Sequence, residues 1–239
     1  MLGATKIEDV LARRAHDFVD FGCSTGGSMV FATRLLKGGP GFGIDIAPEK
    51  VAKARAAGHE AYVADARALL NAPNAVRFAV LSHFLEHLPT IKDAIACIRS
   101  AVTVARDFVF IRQPWFDADG YLLSNGLKLY WSDWDGHTNT MSTLEMYRAI
   151  RSADRVAEFA IYGHEPIEDS TSTDIHPLSS PVNSHRWDEA AAGPKPHVTF
   201  SQPVYREMVA VIVKAGSQAD IEQIARQVTQ QEPLVHIKN

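Results

Sequence analysis

The sequence predicts an α/β fold built on a doubly wound parallel sheet, and two observations support this prediction. Short apolar runs of strand length alternate with segments of helical composition along most of the chain. Such alternation is typical of parallel strands joined by crossover helices. In addition, a turn of small residues at 23–28 connects the first apolar run to a helical segment. In sheets of this class, ligands bind at the carboxyl ends of the strands, so we look for function there.

Each predicted strand is a short apolar run. The predicted strands occupy residues 17–22, 41–46, 59–63, 76–82, 108–112, 156–162 and 205–213. Several predicted helices carry clear end signals. Pro48 suits a first helical turn and Gly58 a helix end, while Ser142 and Glu145 have the spacing of a capping box. The predicted helices occupy residues 7–15, 29–37, 48–57, 89–102, 142–151 and 220–228.

We expect residues 1–239 to form a single domain with two long insertions. The first insertion, at about 113–141, is rich in aromatic residues and is expected to be an ordered lid. It would cover the part of the ligand site where a second reactant, the acceptor, binds. The second, at about 164–203, holds six of the twelve prolines. A lid, a hairpin and a partly mobile segment are all compatible with its length and polarity.

The composition limits the compartment and the partners. The chain has 24 basic and 28 acidic residues and a net charge of −4, which disfavours nucleic acid as a partner. We find neither a run of about 18 apolar residues nor a signal-peptide pattern, so no membrane association is expected. The two cysteines, Cys23 and Cys97, form no disulfide framework. A reducing, cytoplasmic location is therefore predicted.

The segment DFGCSTGG, which begins at Asp20, has the features of a cofactor-binding turn. Its small residues allow a ligand to approach the backbone, and the following helix offers free N–H groups. Asp45 ends the second predicted strand, where a carboxylate can accept hydrogen bonds from a ribose diol. The glycine-rich turn alone is equally compatible with a tight strand-to-helix connection.

Two further pieces complete a pattern. Asp65 ends the third predicted strand, and SHFLEHLP follows the fourth at residues 82–89. With these pieces, the sequence resembles the class I S-adenosylmethionine-dependent methyltransferases. The matching segments are VDFGCSTGG, GFGIDIAPEKVAKAR, VADA and VLSHFLEHLP, in order between about residues 17 and 112. The resemblance implies a Rossmann-like sheet of seven strands, mostly parallel with the last antiparallel, and S-adenosylmethionine as cofactor.

The resemblance also implies roles for individual residues. The implied cofactor-binding residues are Asp20, Gly22, Cys23, Ser24, Gly26, Asp45, Ile46, Asp65, Ala66, Ser82 and His83. Within this set, Asp45 is expected to bind the ribose hydroxyls, and Ile46 to pack on the adenine. Asp65 is expected to accept a hydrogen bond from the adenine amino group. Ser82 and His83 are expected to lie near the transferred methyl group.

The sequence departs from the family pattern at a position in the cofactor turn. Ser24 stands where the family more often has glycine, which adds a hydroxyl near the cofactor. Residues 104–107 also lack the usual Pro-Gly-Gly turn before a strand. Neither departure removes a residue needed for cofactor binding, so methyltransferase activity remains the leading prediction.

Histidines are the candidate catalytic residues, because methylation of a hydroxyl requires a base that titrates near neutral pH. His83 and His137 are the predicted catalytic residues, whereas His87 is better explained as a residue that holds the loop in place. Asp133, Asp135 and His137 form an Asp-x-Asp-x-His run that could bind a divalent metal. A polar turn explains this run as well, and we predict no metal. The other histidines considered show no ligand spacing and are expected on a solvent-exposed connection; they are His164, His176, His185 and His197.

The aromatic residues of the first insertion are compatible with an acceptor pocket and with a small core that holds the loop together. They are Trp115, Phe116, Tyr121, Tyr130, Trp131 and Trp134. The leading hypothesis is transfer of a methyl group to a small molecule, most simply at a hydroxyl of a saccharide, glycan precursor or secondary metabolite. The alternatives are a protein or nitrogen acceptor and a non-catalytic S-adenosylmethionine-binding module. A dinucleotide oxidoreductase ranks last, because Ser24 replaces the second glycine of that fingerprint.

Overall fold

The computed structural model describes residues 7–239 and contains an eight-stranded sheet and a two-stranded sheet. The strands are β1 Phe18–Phe21, β2 Gly41–Asp45, β3 Ala61–Val63, β4 Val76–Ser82, β5 Ala105–Pro114, β6 Leu127–Leu129, β7 Val156–Pro166, β8 Ile175–Pro177, β9 Tyr205–Lys214 and β10 Val235–Lys238. The helices are α1 Ile7–Ala12, α2 Gly27–Arg34, α3 Pro48–Ala56, α4 Ile91–Val104, α5 Asp119–Ser124, α6 Thr143–Arg151, α7 Glu189–Ala192 and α8 Ile221–Arg226.

The large sheet has the strand order β10-β7-β9-β5-β4-β1-β2-β3. The five strands β1 to β5 are parallel, and β9 lies antiparallel between β5 and β7. Strands β1 and β4 are neighbours, and the chain adds successive strands outward from β1 in one direction and from β4 in the other. In open α/β sheets, this reversal opens a crevice at the carboxyl ends of the two strands, where ligands bind.

Two buried apolar clusters cover opposite faces of the large sheet, because successive strand residues point to opposite sides. Val19 and Phe21 of β1 belong to one cluster, together with buried residues of α1, α4 and α6. Phe18 of β1 belongs to the other, together with buried residues of α2, α3 and α8. The sheet is therefore doubly wound, as the alternating sequence pattern predicts.

The observed elements confirm the predicted fold class and differ from it at the edges. The sheet has one strand more than the predicted seven, since β10 pairs antiparallel with β7. Exposed and half-buried residues alternate along this edge strand. Because the strand has only four residues, this alternation is too short to be identified from the sequence. Helix α4 runs directly into β5 at Ala105, which explains the missing turn at 104–107. The capping box of Ser142 and Glu145 is present at α6.

The two long insertions pair with each other. Strand β6 of the first insertion and β8 of the second form the small antiparallel sheet, with Lys128 opposite His176. The backbone N–H of Tyr130 also donates to the carbonyl of Asp174, at 3.0 Å. The second insertion is thus partly an edge of a small sheet and partly an extension of β7. No helix in residues 7–239 has the length and apolar character required to cross a bilayer.

Candidate active site

Two cavities of about 460 Å³ each lie at the carboxyl end of β4, one on the side of β1 and the other on the side of β5. The first, here called the cofactor-side cavity, is bordered by the turns after β1, β2, β3 and β4. The second, here called the acceptor-side cavity, is bordered by the turn after β4 and by residues of both insertions. His83 and His87 line both cavities. The two cavities therefore meet at these histidines.

The turn after β1 brings backbone close to the cofactor-side cavity. Gly22 has a φ of +71°, and a Cβ atom there would lie 2.2 Å from the ring of Phe84. Ser24 also has a left-handed φ, of +47°, which explains why related turns favour glycine at this position. The N–H of Ser24 donates to Asp45 Oδ2 at 3.0 Å, and the N–H of Ala47 donates to Oδ1 at 2.9 Å. These bonds fix Asp45 at the end of β2.

Most of the predicted cofactor-binding residues line the cofactor-side cavity. These are Gly22, Ser24, Asp45, Ile46, Asp65, Ala66 and His83. The side chain of Ile46 is 70% exposed, an unusual degree for isoleucine and a suitable one for a residue that stacks on a ligand. The remaining predicted residues lie behind the cavity wall; they are Asp20, Cys23, Gly26 and Ser82.

Asp20 is the charged group at the base of this turn. It is fully buried, and the hydroxyl of Ser28 donates to its Oδ2, whereas Oδ1 has no hydrogen-bond partner within residues 7–239. Burial raises the pKa of Asp20 to about 7, with Asp45 adding to the rise and the bond from Ser28 opposing it. The free energy of folding therefore depends on the protonation state of this carboxyl.

Arg67 is a residue of the cofactor-side cavity that sequence reasoning missed. Its guanidinium binds both oxygens of Asp65, with the shortest contact at 2.7 Å, and reaches Asp93 at 2.8 Å. The hydrogen bonds from Arg67 hold the pKa of Asp65 below its usual range. An adenine amino group can reach Asp65 only if Arg67 gives up part of this contact. An arginine two residues after the aspartate was the available sequence signal.

His83, at the junction, is held by two carboxylates. Its Nε2 lies 2.9 Å from Glu207 Oε1, and its Nδ1 lies 3.4 Å from Glu86 Oε1. Burial lowers the pKa of His83, but its bonds to Glu207 and Glu86 outweigh that effect and raise the pKa to about 9. His83 is therefore protonated at neutral pH. Glu207 was not identified from the sequence, because β9 is far from β4 along the chain. Glu86 lies within the SHFLEHLP segment but was given no role.

Residues 138–139 of the first insertion are hydrogen-bonded to the turn after β4. The N–H of Asn139 donates to the carbonyl of Glu86 at 3.1 Å, and its side-chain amide donates to the carbonyl of Leu85 at 2.9 Å. The hydroxyl of Thr138 donates to the carbonyl of Leu88 at 2.8 Å. These bonds bring His137 beside the junction.

His87 and His137 are neighbours, with ring centroids 5.1 Å apart. Nδ1 of His87 lies 2.9 Å from the carbonyl of Gly136, and Nδ1 of His137 lies 3.0 Å from the carbonyl of Trp131. Because a carbonyl only accepts, each Nδ1 carries a proton and each neutral ring keeps its lone pair on Nε2. Burial lowers the pKa of His137, so this ring is neutral at pH 7.

The three polar side chains of the Asp-x-Asp-x-His run in the first insertion do not converge on one point. Asp133 binds Lys128, and Asp135 pairs with the side-chain amide of Asn183 at 2.8 Å. Both carboxylates thus bind other partners, whereas His137 lies at the acceptor-side cavity. The aspartates help to hold the two insertions together.

The aromatic residues of the first insertion divide between the core and the acceptor-side cavity. Trp115 and Phe116 are buried in the core, and Tyr130, Trp131 and Trp134 line the acceptor-side cavity.

The expectation of a solvent-exposed connection is wrong for two of the other histidines. His164 lies on β7 and is half-buried at the acceptor-side cavity, and His176 is fully buried on β8. His185 and His197 are exposed, as expected, although His185 also borders the acceptor-side cavity.

Comparison with known proteins agrees with this geometry. Residues 19–106 match the family model described as a methyltransferase domain. A SAM-dependent methyltransferase from Archaeoglobus fulgidus is similar in structure, with a TM-score of 0.56 and 16% identity over 87% of this chain and 95% of the other. A possible histamine N-methyltransferase from Thermotoga maritima gives a TM-score of 0.52 and 15% identity, over 83% and 82% of the two chains.

A third similar structure is the complex of the Haloferax volcanii Trm112 methyltransferase activator with a methyltransferase, with a TM-score of 0.52 and 15% identity over 87% and 88%. Among curated proteins, none is similar enough in sequence to give a significant match. These comparisons confirm the predicted fold and the resemblance of residues 19–106 to a methyltransferase domain. The roles of the individual site residues stay predictions.

Proposed function

Because residues 19–106 form a methyltransferase domain, we propose that this chain transfers a methyl group from S-adenosylmethionine to a hydroxyl of a small-molecule acceptor. The observation that carries the proposal is the junction of the two cavities at His83 and His87. A methyl group crosses directly from donor to acceptor only where their binding sites touch. This junction is the place in the molecule where the cofactor turns and the aromatic insertion meet.

The residues present fit the cofactor. A Cβ at Gly22 would close the approach of a ligand to the turn, and Ile46 offers an exposed apolar face. Asp45 would bind the ribose and Ile46 would pack on the adenine, as the sequence predicts. Asp65 would accept a hydrogen bond from the adenine amino group in place of part of its contact with Arg67. When bound, S-adenosylmethionine supplies a methyl group on a positively charged sulfur.

The acceptor-side cavity supports a small polar acceptor. Its volume of about 460 Å³ lies in the usual range for small-molecule sites. Tyr130, Trp131 and Trp134 offer flat apolar faces, and Arg112 and Arg206 offer hydrogen-bond donors. Aromatic faces beside charged donors are suited to saccharides and other polyhydroxylated molecules.

Protonation separates the roles of the two predicted catalytic histidines. His83 is a cation between Glu86 and Glu207, so it donates hydrogen bonds and positions the neighbouring groups. His137 is neutral at pH 7 and directs a lone pair from Nε2, so this ring can accept a proton or bind a cation. We therefore assign removal of the proton from the acceptor hydroxyl to the part of the junction around His137.

The sheet is relevant to the number of domains, and the cysteines are relevant to the cellular compartment. Strand β10, near the end of the chain, completes the same sheet that begins with β1, which supports one domain. Cys23 and Cys97 are buried free thiols, which supports action in a reducing cytoplasm.

A thermal shift with S-adenosylmethionine, S-adenosylhomocysteine and NAD tests the cofactor first. A ligand at about 100 times its Kd adds about 2.7 kcal/mol to the free energy of unfolding. We expect stabilisation by the first two ligands and none by NAD. A panel of sugars, glycosides and phenols is then assayed for release of S-adenosylhomocysteine. Stabilisation without release from any hydroxyl acceptor, but with release from an amine or protein panel, would replace the proposed acceptor class.

A further inference from the structure

We propose that Glu86, His87 and His137 form a binding site for one divalent transition-metal ion. One potential ligand atom from each residue lies within 4.8 Å of those from the other two. All three residues line the acceptor-side cavity, and His87 also lines the cofactor-side cavity. The site thus lies at the junction itself. The existence of the site is independent of the proposed function, whereas its catalytic role rests on it.

The carboxylate of Glu86 is buried, and its charge is only partly balanced. Its side chain is only 1% exposed, and neither carboxylate oxygen has a hydrogen-bond partner among the described residues. The nearest positive group is His83, whose Nδ1 is 3.4 Å from Oε1 and which also binds Glu207. Burial of a carboxylate is costly unless its oxygens are bound. A metal ion at Glu86 would satisfy the oxygen that His83 does not approach.

The two histidines are already oriented as metal ligands. Nδ1 of each ring donates to a backbone carbonyl, of Gly136 for His87 and of Trp131 for His137. Metal-binding histidines usually have this second contact, because it fixes the tautomer and directs the other nitrogen at the metal. The carbonyls belong to the segment that Asn139 and Thr138 fasten to the turn after β4. The same bonds therefore build the site and hold its ligands.

One carboxylate and two imidazoles leave coordination positions open, as in catalytic rather than structural metal sites. Imidazole ligands favour Mn²⁺, Co²⁺ or Zn²⁺ over Mg²⁺, which prefers oxygen ligands. An acceptor hydroxyl bound at an open position would lose its proton to solvent more readily, because the metal stabilises the resulting alkoxide. In this arrangement Nε2 of His137 binds the metal, and the metal takes the place of a protein base.

Direct binding of Co²⁺, Mn²⁺ and Zn²⁺ to the full, untagged chain tests the site. After chelator treatment, each metal is titrated by calorimetry, and bound Co²⁺ is followed by its visible spectrum. We expect one ion per chain. Glu86→Gln and His137→Asn should each weaken binding at least about tenfold. His164→Asn and Glu165→Gln are matched controls, since both line the same cavity outside the cluster.

S-adenosylhomocysteine binding, measured on every variant by thermal shift, shows that each variant is folded and keeps the cofactor side. Equal metal affinity in the cluster variants and the controls, or less than one ion per chain, would overturn the site. Metal binding with no methyl transfer to any acceptor would retain the site and overturn the proposed function. Methyl transfer that continues unchanged in metal-free protein would retain the function and overturn the catalytic role of the metal.

Discussion

The cofactor-side and acceptor-side cavities share His83 and His87 but are built in different ways. The cofactor-side cavity is formed by turns that directly follow strands β1 to β4, together with the start of α4, between residues 22 and 97. The acceptor-side cavity combines the turn after β4 with residues as distant as Glu207. Its walls depend on the small β6–β8 sheet and on the hydrogen bonds of Asn139 and Thr138.

The two cavities therefore depend on different structural features of the protein. Backbone conformation and a buried carboxylate support the cofactor side, whereas contacts between distant segments support the acceptor side. A substitution in one half should leave the other largely unchanged, except at the shared histidines. Four substitutions test this separation, beginning with the largest expected effect.

Gly22→Ala should damage the cofactor side most. The new Cβ would lie 2.2 Å from the Phe84 ring, on a backbone with φ of +71°. Strain and overpacking together should lower the free energy of unfolding by about 4 kcal/mol and cofactor affinity by more than about tenfold. Urea unfolding and titration with S-adenosylhomocysteine measure both. Gly27→Ala is the matched control, since nothing lies within 4 Å of its Cβ position. Equal losses in the two variants would contradict the close approach of Gly22 to Phe84.

Asp20→Asn should stabilise the protein in a pH-dependent way. Because the pKa of Asp20 is raised to about 7 in the folded state, the folded protein retains a proton that the unfolded chain releases. Stability of the wild type therefore falls as pH rises from about 4 to about 7. The variant escapes this loss, so its advantage should grow by roughly 3 kcal/mol between pH 4 and pH 8.

Asp17→Asn is a control of opposite sign for Asp20→Asn. Burial raises the pKa of Asp17, but its bonds with Arg77 and with the N–H of Gly39 outweigh this and hold the pKa below its usual value. Its substitution should therefore destabilise the protein at neutral pH, and the loss should disappear in acid. Urea unfolding across the pH range measures both variants. An advantage of Asp20→Asn that is independent of pH would show that Asp20 is ionised in the folded protein.

Asn139→Ala should damage the acceptor side alone. The substitution removes the amide bond to the Leu85 carbonyl and leaves that buried carbonyl without this donor, at a cost of about 1–2 kcal/mol. Looser placement of His137 should lower kcat about tenfold, with cofactor affinity unchanged. Asn183→Ala is the control, since Asn183 binds Asp135 on the exposed side of the same segment. A parallel loss of cofactor affinity would show that the two halves are coupled.

Ser24→Gly should have the smallest effect. A serine at φ of +47° carries strain that glycine does not, so stability should rise by about 0.5–1 kcal/mol. Lys37→Gly, at φ of +54° and outside both cavities, should give a similar gain. A lower cofactor affinity in Ser24→Gly, measured against the Lys37 variant, would assign the Ser24 hydroxyl a role in binding.

The cofactor side could be predicted from the sequence residue by residue, but the acceptor side only as a region. Gly22, Ser24, Asp45 and Asp65 follow successive strands, and topology alone brings such residues together. Arg67 was missed because its contact with Asp93 joins two different turns. On the acceptor side, the aromatic insertion was correctly predicted to be ordered. Its pairing with the second insertion was not predicted, because β6 and β8 are each only three residues long.

The doubly wound sheet and the crevice at β1 and β4 could be read from the sequence alone, which also predicts the cofactor class. These follow from hydrophobic periodicity and local turn chemistry, which act over a few residues. Tertiary contacts alone make His83 a cation between Glu86 and Glu207, and they bring His87 and His137 together beside the buried Glu86, whose oxygens have no hydrogen-bond partner among residues 7–239. Those properties arise from burial and from contacts between segments tens of residues apart, and neither is encoded in the spacing of residues along the chain.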